Sequence, residues 1–411
     1  MSGRTWSPDN GLVSEMPVAS RVPWSRRFVA RMFQRLREGH VTLRDGWGIV
    51  QGGREDAEKQ VQILIEDPRF YRRLVSGGGM GAAESYAQGE WSCADLTGLF
   101  RLLLRNAEVL GSVQQRRRGM ARIIGSLRHW LKRNHRQGSR RNIHQHYDLG
   151  NEFFQLFLDE TLNYSSAIFA DPEQSLADAS RNKMETICRK LELSPGDHVV
   201  EIGSGWGSLA TWMAQQHGCR VTTTTISREQ FRYVSELVER LGLADQVTVL
   251  NCDYRDMPGT YDKLVSVEMI EAVGHRYLPT FFQCCDQLLK PGGKMLLQAI
   301  LTGDDHYQKY LASVDFIRAY IFPGGSLPCH AVIADSVDRL TALQIAARED
   351  ITPHYERTLQ CWRADFESSL EQVRQIGFDE RFIRIWRYYL CYCEAGFAER
   401  HSTTEQMLLV K

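Results

Sequence analysis

The period of the apolar positions changes along the chain. Phe28, Met32 and Leu36 recur at helical spacing. Val41-Thr42-Leu43 and Trp47-Gly48-Ile49-Val50 read as short strands around a turn at Asp45-Gly46, and Val61 to Ile65 alternates as a strand. Helical spacing returns at Phe70 to Val75, and Leu96 to Leu110 carries a strong amphipathic stripe. These segments predict a small α+β unit over residues 26–110, behind a polar, Pro-containing tail over residues 1–25. From residue 142 onward strands and helices alternate. His198 to Ile202, Arg220 to Ile226, Val247 to Leu250, Lys263 to Val267 and Lys294 to Ile300 read as strands. Helices are expected from Ser208, over Arg228 to Leu241 and over Tyr277 to Leu289. That rhythm predicts a doubly wound α/β sheet over residues 142–411.

Between the two units lies a segment, residues 111–141, without a single acidic residue. It carries Arg116-Arg117-Arg118, Arg122, Arg128, Lys132-Arg133, Arg136 and Arg140-Arg141, interleaved with Met120, Ile123, Ile124, Leu127, Trp130 and Leu131. Two readings stay open for this basic, amphipathic linker. It is a solvated tether, or it docks on anionic lipid headgroups, each cation near such a surface contributing about 1 kcal/mol. No nucleic-acid fold or aromatic platform accompanies it, so no nucleic-acid partner is expected. Bulk charge points the same way, because 50 Lys and Arg balance 50 Asp and Glu.

The 10 cysteines show no zinc spacing, so no metal is expected and free thiols in a reducing compartment are. The N-terminus lacks an apolar signal core, and no apolar run approaches the length of a membrane span. The expectation is a cytoplasmic protein, at most peripheral to the inner face of a membrane.

The densest chemistry lies in Val200-Glu201-Ile-Gly203-Ser204-Gly205-Trp206-Gly207-Ser208. A strand runs into three alternate glycines and then a helix. Glycines let the backbone turn sharply and approach a ligand, and a helix N-terminus offers free amides. The spacing GxGxG differs from the GxGxxG of dinucleotide folds. Asp253 follows the third strand of this series, where a carboxylate can accept a hydrogen bond from an adenine amino group. Thr225-Ile226-Ser227-Arg-Glu-Gln230 ends the second, where a ribose would lie.

His146-Tyr147-Asp-Leu-Gly-Asn151, Val200 to Gly207, Asp253-Tyr254-Arg-Asp256 and Phe322-Pro-Gly-Gly-Ser-Leu-Pro328 together resemble the cyclopropane-fatty-acyl-phospholipid synthase family, which includes the mycolic acid cyclopropane synthases. The resemblance runs from about Ala30 to the C-terminus. It implies a Rossmann-like class I methyltransferase sheet behind an N-terminal lipid-binding domain, with a substrate insert near residues 303–340 walling an acyl channel. Phe316, Ile317, Tyr320, Ile321 and Phe322 would line that wall. It implies that Gly203, Gly205, Gly207, Thr225, Ser227, Gln230 and Asp253 hold S-adenosylmethionine, with Glu201, Ser204, Trp206, Ile226, Tyr254 and Ser165 beside them. Tyr147 and Tyr164 would close over the cofactor. Unsaturated phospholipid acyl chains become the expected substrate, the membrane surface a partner, and a homodimer an expected assembly.

The reaction sets its own requirements. An isolated alkene is a weak nucleophile, so it must be held in line with the C–S bond of a sulfonium in a dry cleft. Attack leaves a carbocation, which aromatic faces stabilise without trapping. A base must then take a proton from the new methyl so that a ring closes. In the family a bound bicarbonate is that base, held by a Glu, a His, a Tyr and nearby backbone. The resemblance places that Glu at Glu271 rather than at Glu268, the Tyr at Tyr355, and the backbone amide at Ile300.

Two positions depart from the better-known pattern: Gln298 stands where some members have His, and Ser166 where some have Cys. Gln can donate a hydrogen bond but cannot become cationic. These departures raise an alternative product, a methyl- or methylene-branched chain formed after a hydride shift. Cys393 matches a cysteine traditionally marked as active-site, but its apolar helical context offers nothing to make it a thiolate. A non-catalytic lipid carrier is disfavoured by the intact glycine loop, Asp253 and Glu271. An alkaloid N-methyltransferase is disfavoured by the N-terminal unit.

Overall fold

The computed structural model describes residues 21–114 and 149–411. The tail before residue 21, the basic linker from residue 115 and Tyr147 lie outside the described residues. The chain divides into two compact units, Met1–Arg116 and Arg117–Lys411.

In the first unit a helix at Trp24–Phe33 precedes strands β1 (His40–Asp45), β2 (Gly48–Gly53), β3 (Gln60–Ile65) and β4 (Trp91–Cys93), with a helix at Arg69–Ala87 between the last two. The sheet order is β2-β1-β3-β4. The first helix starts at Trp24, so the expected tail ends earlier than residue 25. The stripe from Leu96 to Leu110 is two helices, Leu96–Arg105 and Ala107–Gln114. Asn106 breaks it. Its side chain accepts from the backbone N–H of Arg37 (2.7 Å) and Glu38 (3.2 Å) and donates to the carbonyls of Glu38 (2.9 Å) and Leu102 (2.8 Å). An amide side chain that binds backbone groups competes with the helix ladder, which periodicity alone does not reveal.

The second unit is built on strands β5 (His198–Ile202), β6 (Arg220–Thr224), β7 (Val247–Leu250), β8 (Tyr261–Val267), β9 (Leu289–Thr302), β10 (Gln344–Asp350) and β11 (Ser402–Val410). Their order is β10-β11-β9-β8-β5-β6-β7. β9, β8, β5, β6 and β7 pair in parallel, whereas β11 lies antiparallel between β9 and β10.

Alternating strands and helices bury both sheet faces. On one, Leu264, Met295, Leu297 and Met407 pack against Phe281, Phe282, Ile333 and Val337. On the other, Val199, Val221, Val265 and Leu296 pack against Ile187, Met213 and Val234. The chain runs outward from β5 to β6 and β7, then returns to place β8 on the other side of β5. The carboxyl ends of β5 and β8 therefore flank a topological switch point, where open α/β sheets bind ligands.

Between β9 and β10 lie helices at Tyr307–Leu311 and His330–Leu340, with a π-helical turn at Ile317–Ile321 between them. Phe316 and Ile321 are buried, while Ile317, Tyr320 and Phe322 are half-buried. The buried Arg318 guanidinium pins this insert by donating to the carbonyls of Tyr310 (3.1 Å), Ser313 (2.5 Å) and Gly325 (3.1 Å). Helices at Thr352–Ser368 and Glu380–Ala398 pack on each other before β11 returns to the sheet.

Candidate active site

The glycine loop leaves β5 as the spacing predicts. Gly203, Gly205 and Gly207 all have positive φ. Gly203 and Ser204 donate their amides to the Thr224 carbonyl (3.1 and 2.9 Å), which ties the loop to the end of β6. Gly207 has φ +88° and a Cβ there would lie 2.8 Å from Val234 Cγ1, so the helix at Ser208–His217 can approach its neighbour only through a glycine. A Cβ on Gly205 would meet nothing within 4 Å, so the loop faces open space on that side.

Thr225 donates to Gln230 Oε1 (2.8 Å) and accepts from the Ser227 amide (3.1 Å), while Ser227 caps the next helix at the Gln230 amide (3.3 Å). Ile226, half-buried, lies between them. Trp206 donates to Asn151 Oδ1 (2.8 Å). Glu201 is buried within β5, accepts from the Thr223 hydroxyl (2.5 Å), and is pushed up to about 8 by burial. The buried Asp253 is paired with Arg255 (2.6 Å), so an adenine amino group would share that carboxylate with a guanidinium. Tyr254 packs edge-on to Phe281 (5.5 Å), its hydroxyl pKa raised by burial. This loop, open above Gly205 and ringed by short polar side chains, fits a nucleoside cofactor.

The acid side differs from expectation. Glu271 was expected beside Tyr355 and Gln298; Glu268 stands there. Its Oε1 accepts from the Ser166 amide (2.9 Å) and Gln298 Nε2 (2.8 Å), and its Oε2 from the Tyr355 hydroxyl (2.7 Å). The cause is register. Val267, the last residue of β8, pairs with Gln298 on β9, and the Glu268 amide donates to the Gln298 carbonyl (2.8 Å). Glu268 then takes φ +48°, a left-handed backbone rarely held by a non-glycine residue, and turns out of the strand. Glu271 falls one helical turn later, in Ile270–Val273, and reaches further along β9 to the Ile300 amide (2.5 Å). Its other oxygen is buried without a hydrogen-bond partner. Burial, then the neighbouring Glu268, pushes Glu271 up to about 8. Burial also raises Glu268, against the pull of Gln298, Tyr355 and Ser166.

Bicarbonate does not fit this arrangement. Two of the donors expected to hold it, on Tyr355 and Gln298, are spent on the Glu268 carboxylate, which also takes the Ser166 amide, and the third, the Ile300 amide, is spent on Glu271.

The Tyr164 hydroxyl meets that of Tyr389 at 2.8 Å, and its ring lies among Phe154 (5.4 Å), Trp362 (5.2 Å) and Phe322 (6.3 Å). Tyr355 stacks on Phe397 (4.2 Å) and meets Trp362 edge-on (6.2 Å). Ser165 accepts from Lys183 Nζ (2.6 Å), which also donates to Asn163 (2.9 Å). Cys393 sits on the helix at Glu380–Ala398, and burial drives its thiol pKa up, away from a reactive thiolate.

Sequence reasoning missed Lys183, which is buried and held down to about 8 by burial. Its signal was available: a lysine on the apolar face of Leu176–Leu191, between Ala179 and Ile187 at helical spacing. Tyr389 and Trp362 were missed as well; nothing in an aromatic helix tells a wall from a core.

Against known proteins, residues 134–407 match the family model for mycolic acid cyclopropane synthetase. The chain belongs to this family. It is similar to a tuberculostearic acid methyltransferase of Mycobacterium tuberculosis, 38% identical over 347 residues that span 83% of this chain and 81% of that one. It is similar to the cyclopropane-fatty-acyl-phospholipid synthase of Escherichia coli, 35% identical and covering 82% of this chain and 85% of that one. A crystal structure of a mycolic acid cyclopropane synthase with SAH and CTAB aligns at TM-score 0.62 and 27% identity, over 66% of this chain and 98% of that one. This cyclopropane synthetase family member is thus an S-adenosylmethionine-dependent methyltransferase of the lipid-modifying kind, on a class I methyltransferase fold.

Proposed function

We propose that the protein transfers the methyl carbon of S-adenosylmethionine to the cis double bond of an unsaturated phospholipid acyl chain and so makes a cyclopropane fatty acyl phospholipid. One observation carries the reading: a buried carboxylate, aimed by three hydrogen bonds, sits against an aromatic wall at the strand ends beside the glycine loop. An olefin acceptor needs those elements and nothing stronger: rings that tolerate a cation, and one proton acceptor. The glycine loop, Thr225, Ser227, Gln230 and Asp253 would hold the cofactor, which supplies an electrophilic methyl on sulfur. Tyr164, Trp362 and Phe322 exclude water and face the developing cation.

A second reading, a methyl- or methylene-branched acyl chain, is favoured by Gln298 and Ser166 and by the likeness to a tuberculostearic acid methyltransferase. A cyclopropane and a methylene branch are isomers of one mass, so chromatography and proton NMR of the fatty acid esters separate them. Expression in a host lacking both lipids tests the proposal. A new ester one methylene heavier than its precursor, with cyclopropane ring protons in the NMR spectrum, supports it; a branched ester of that mass supports the second reading instead, and an unchanged lipid profile contradicts both.

The place of action we propose is the inner face of a membrane, with phospholipid as the partner. Among the described residues no helix is long and apolar enough to cross a bilayer. The arginine-rich helix at Trp24–Phe33 and the exposed Ile49 support surface docking by the N-terminal unit.

A further inference from the structure

We propose that the Glu268 carboxylate is itself the proton acceptor of the reaction, built into the chain in place of a bound bicarbonate. The inference rests on the proposed olefin-directed function. Its ground is geometric. A bicarbonate base needs planar, carboxylate-shaped recognition by a hydroxyl, an amide NH₂ and a backbone N–H. The chain supplies that set in Tyr355, Gln298 and Ser166, and all three point at Glu268 at 2.7–2.9 Å. Oε1 takes two of the donors and Oε2 only the Tyr355 hydroxyl, which leaves a lone pair on Oε2 for a proton. The backbone is bent to achieve this: φ +48° at Glu268 is a conformation glycine holds freely and glutamate holds at a penalty. Strain of that kind at a buried carboxylate marks a position kept for its side chain.

Glu271 is the rival base. It accepts one hydrogen bond, has one buried oxygen without a partner, and is pushed up to about 8 by burial, so near neutrality it is largely protonated. Two buried carboxylates whose environments separate their proton affinities divide the roles between them. Glu268 has three donors against one on Glu271, and hydrogen bonds to a carboxylate favour its charged, proton-accepting form.

The step balances within the named groups. The alkene π pair forms a bond to the sulfonium methyl carbon as the C–S bond breaks, its pair remaining on sulfur as a neutral thioether. The adjacent acyl carbon becomes a cation. Glu268 then takes a proton from the new methyl. The released C–H pair closes the three-membered ring or, after a 1,2-hydride shift, forms a methylene double bond. Glu268 returns its proton to solvent, and no oxidant or reductant enters.

The test uses the full chain, S-adenosylmethionine and vesicles of a monounsaturated phospholipid, in buffer stripped of carbon dioxide. The unaltered protein is expected to turn over at the same rate with or without added bicarbonate. Glu268→Gln is expected to lose activity ~100-fold or more, in the range of a lost general base, while binding S-adenosylmethionine unchanged in calorimetry. Glu268→Gly relieves the left-handed strain, frees the three donors, and is expected to be inactive in stripped buffer and to recover activity on adding bicarbonate. Dependence of the unaltered protein on added bicarbonate would overturn the inference alone, as would Glu268→Gln at near-normal rate. No lipid product from an unaltered protein that binds S-adenosylmethionine would overturn the proposed function, and this inference with it.

Discussion

The two sides of the candidate site, at neighbouring strand ends, are built by opposite means. Beyond β5 the chain uses backbone: three glycines at positive φ, amides returned to Thr224, and short hydroxyls and an amide on the next loop. Beyond β8 it uses buried charge: Glu268 in a left-handed turn, Glu271 with an orphaned oxygen, and Lys183 nearby with its ammonium among neutral oxygens. A backbone cradle is tolerant of what it holds and intolerant of added bulk. A charged nest tolerates bulk poorly too, but is governed chiefly by its proton count. The binding half and the chemical half should therefore fail differently when altered.

The largest effect is expected on the backbone side. Gly207→Val places a branched side chain at φ +88° with its Cβ 2.8 Å from Val234, so it should abolish measurable S-adenosylmethionine binding in calorimetry and lower the melting temperature. Retained binding would break the comparison at its first term. Next comes Tyr355→Phe, which removes one donor from Glu268. A hydrogen bond to a charged group contributes about 1.5–3 kcal/mol, so kcat should fall roughly 10- to 100-fold with cofactor affinity unchanged.

A smaller and pH-dependent effect is expected of Glu271→Gln. Glu271 titrates near 8 in the folded chain against a usual value of 4.5. The folded state therefore holds the proton longer than the unfolded chain does. The unaltered protein should lose stability as pH rises from about 5 to about 8, by up to a few kcal/mol. Glu271→Gln should lose less over that window, read as the difference in melting temperature between the two proteins. Parallel curves would contradict a buried neutral Glu271. The smallest effect concerns the first unit. Deleting residues 1–110 should weaken binding to anionic vesicles several-fold in a sedimentation assay, and unchanged binding would remove that unit from the lipid side.

The same contrast governs what the sequence revealed. Strand-helix alternation and the GxGxG loop are local patterns, and the sheet and its cofactor end follow from them. The stripe at Leu96 to Leu110 misled because Asn106 turns its side chain onto the backbone of Arg37 and Glu38, a contact distant in sequence. The choice between Glu268 and Glu271 was not legible either. It depends on the register of β8 against β9 and on a positive φ, and two glutamates three residues apart look alike until both are known. Lys183 was legible in principle, as a charge on an apolar helical face, yet its partners Asn163 and Ser165, some 20 residues earlier, meet it only in the fold.

The most direct measurement supplies S-adenosylmethionine with a fully deuterated methyl group to the unaltered protein and an unsaturated phospholipid, then reads the fatty acid esters by mass spectrometry. Removal of one methyl hydrogen by a base at the carbocation predicts an acyl chain that gains one carbon and two deuterium atoms. A chain that gains all three, or gains no deuterium, would contradict it.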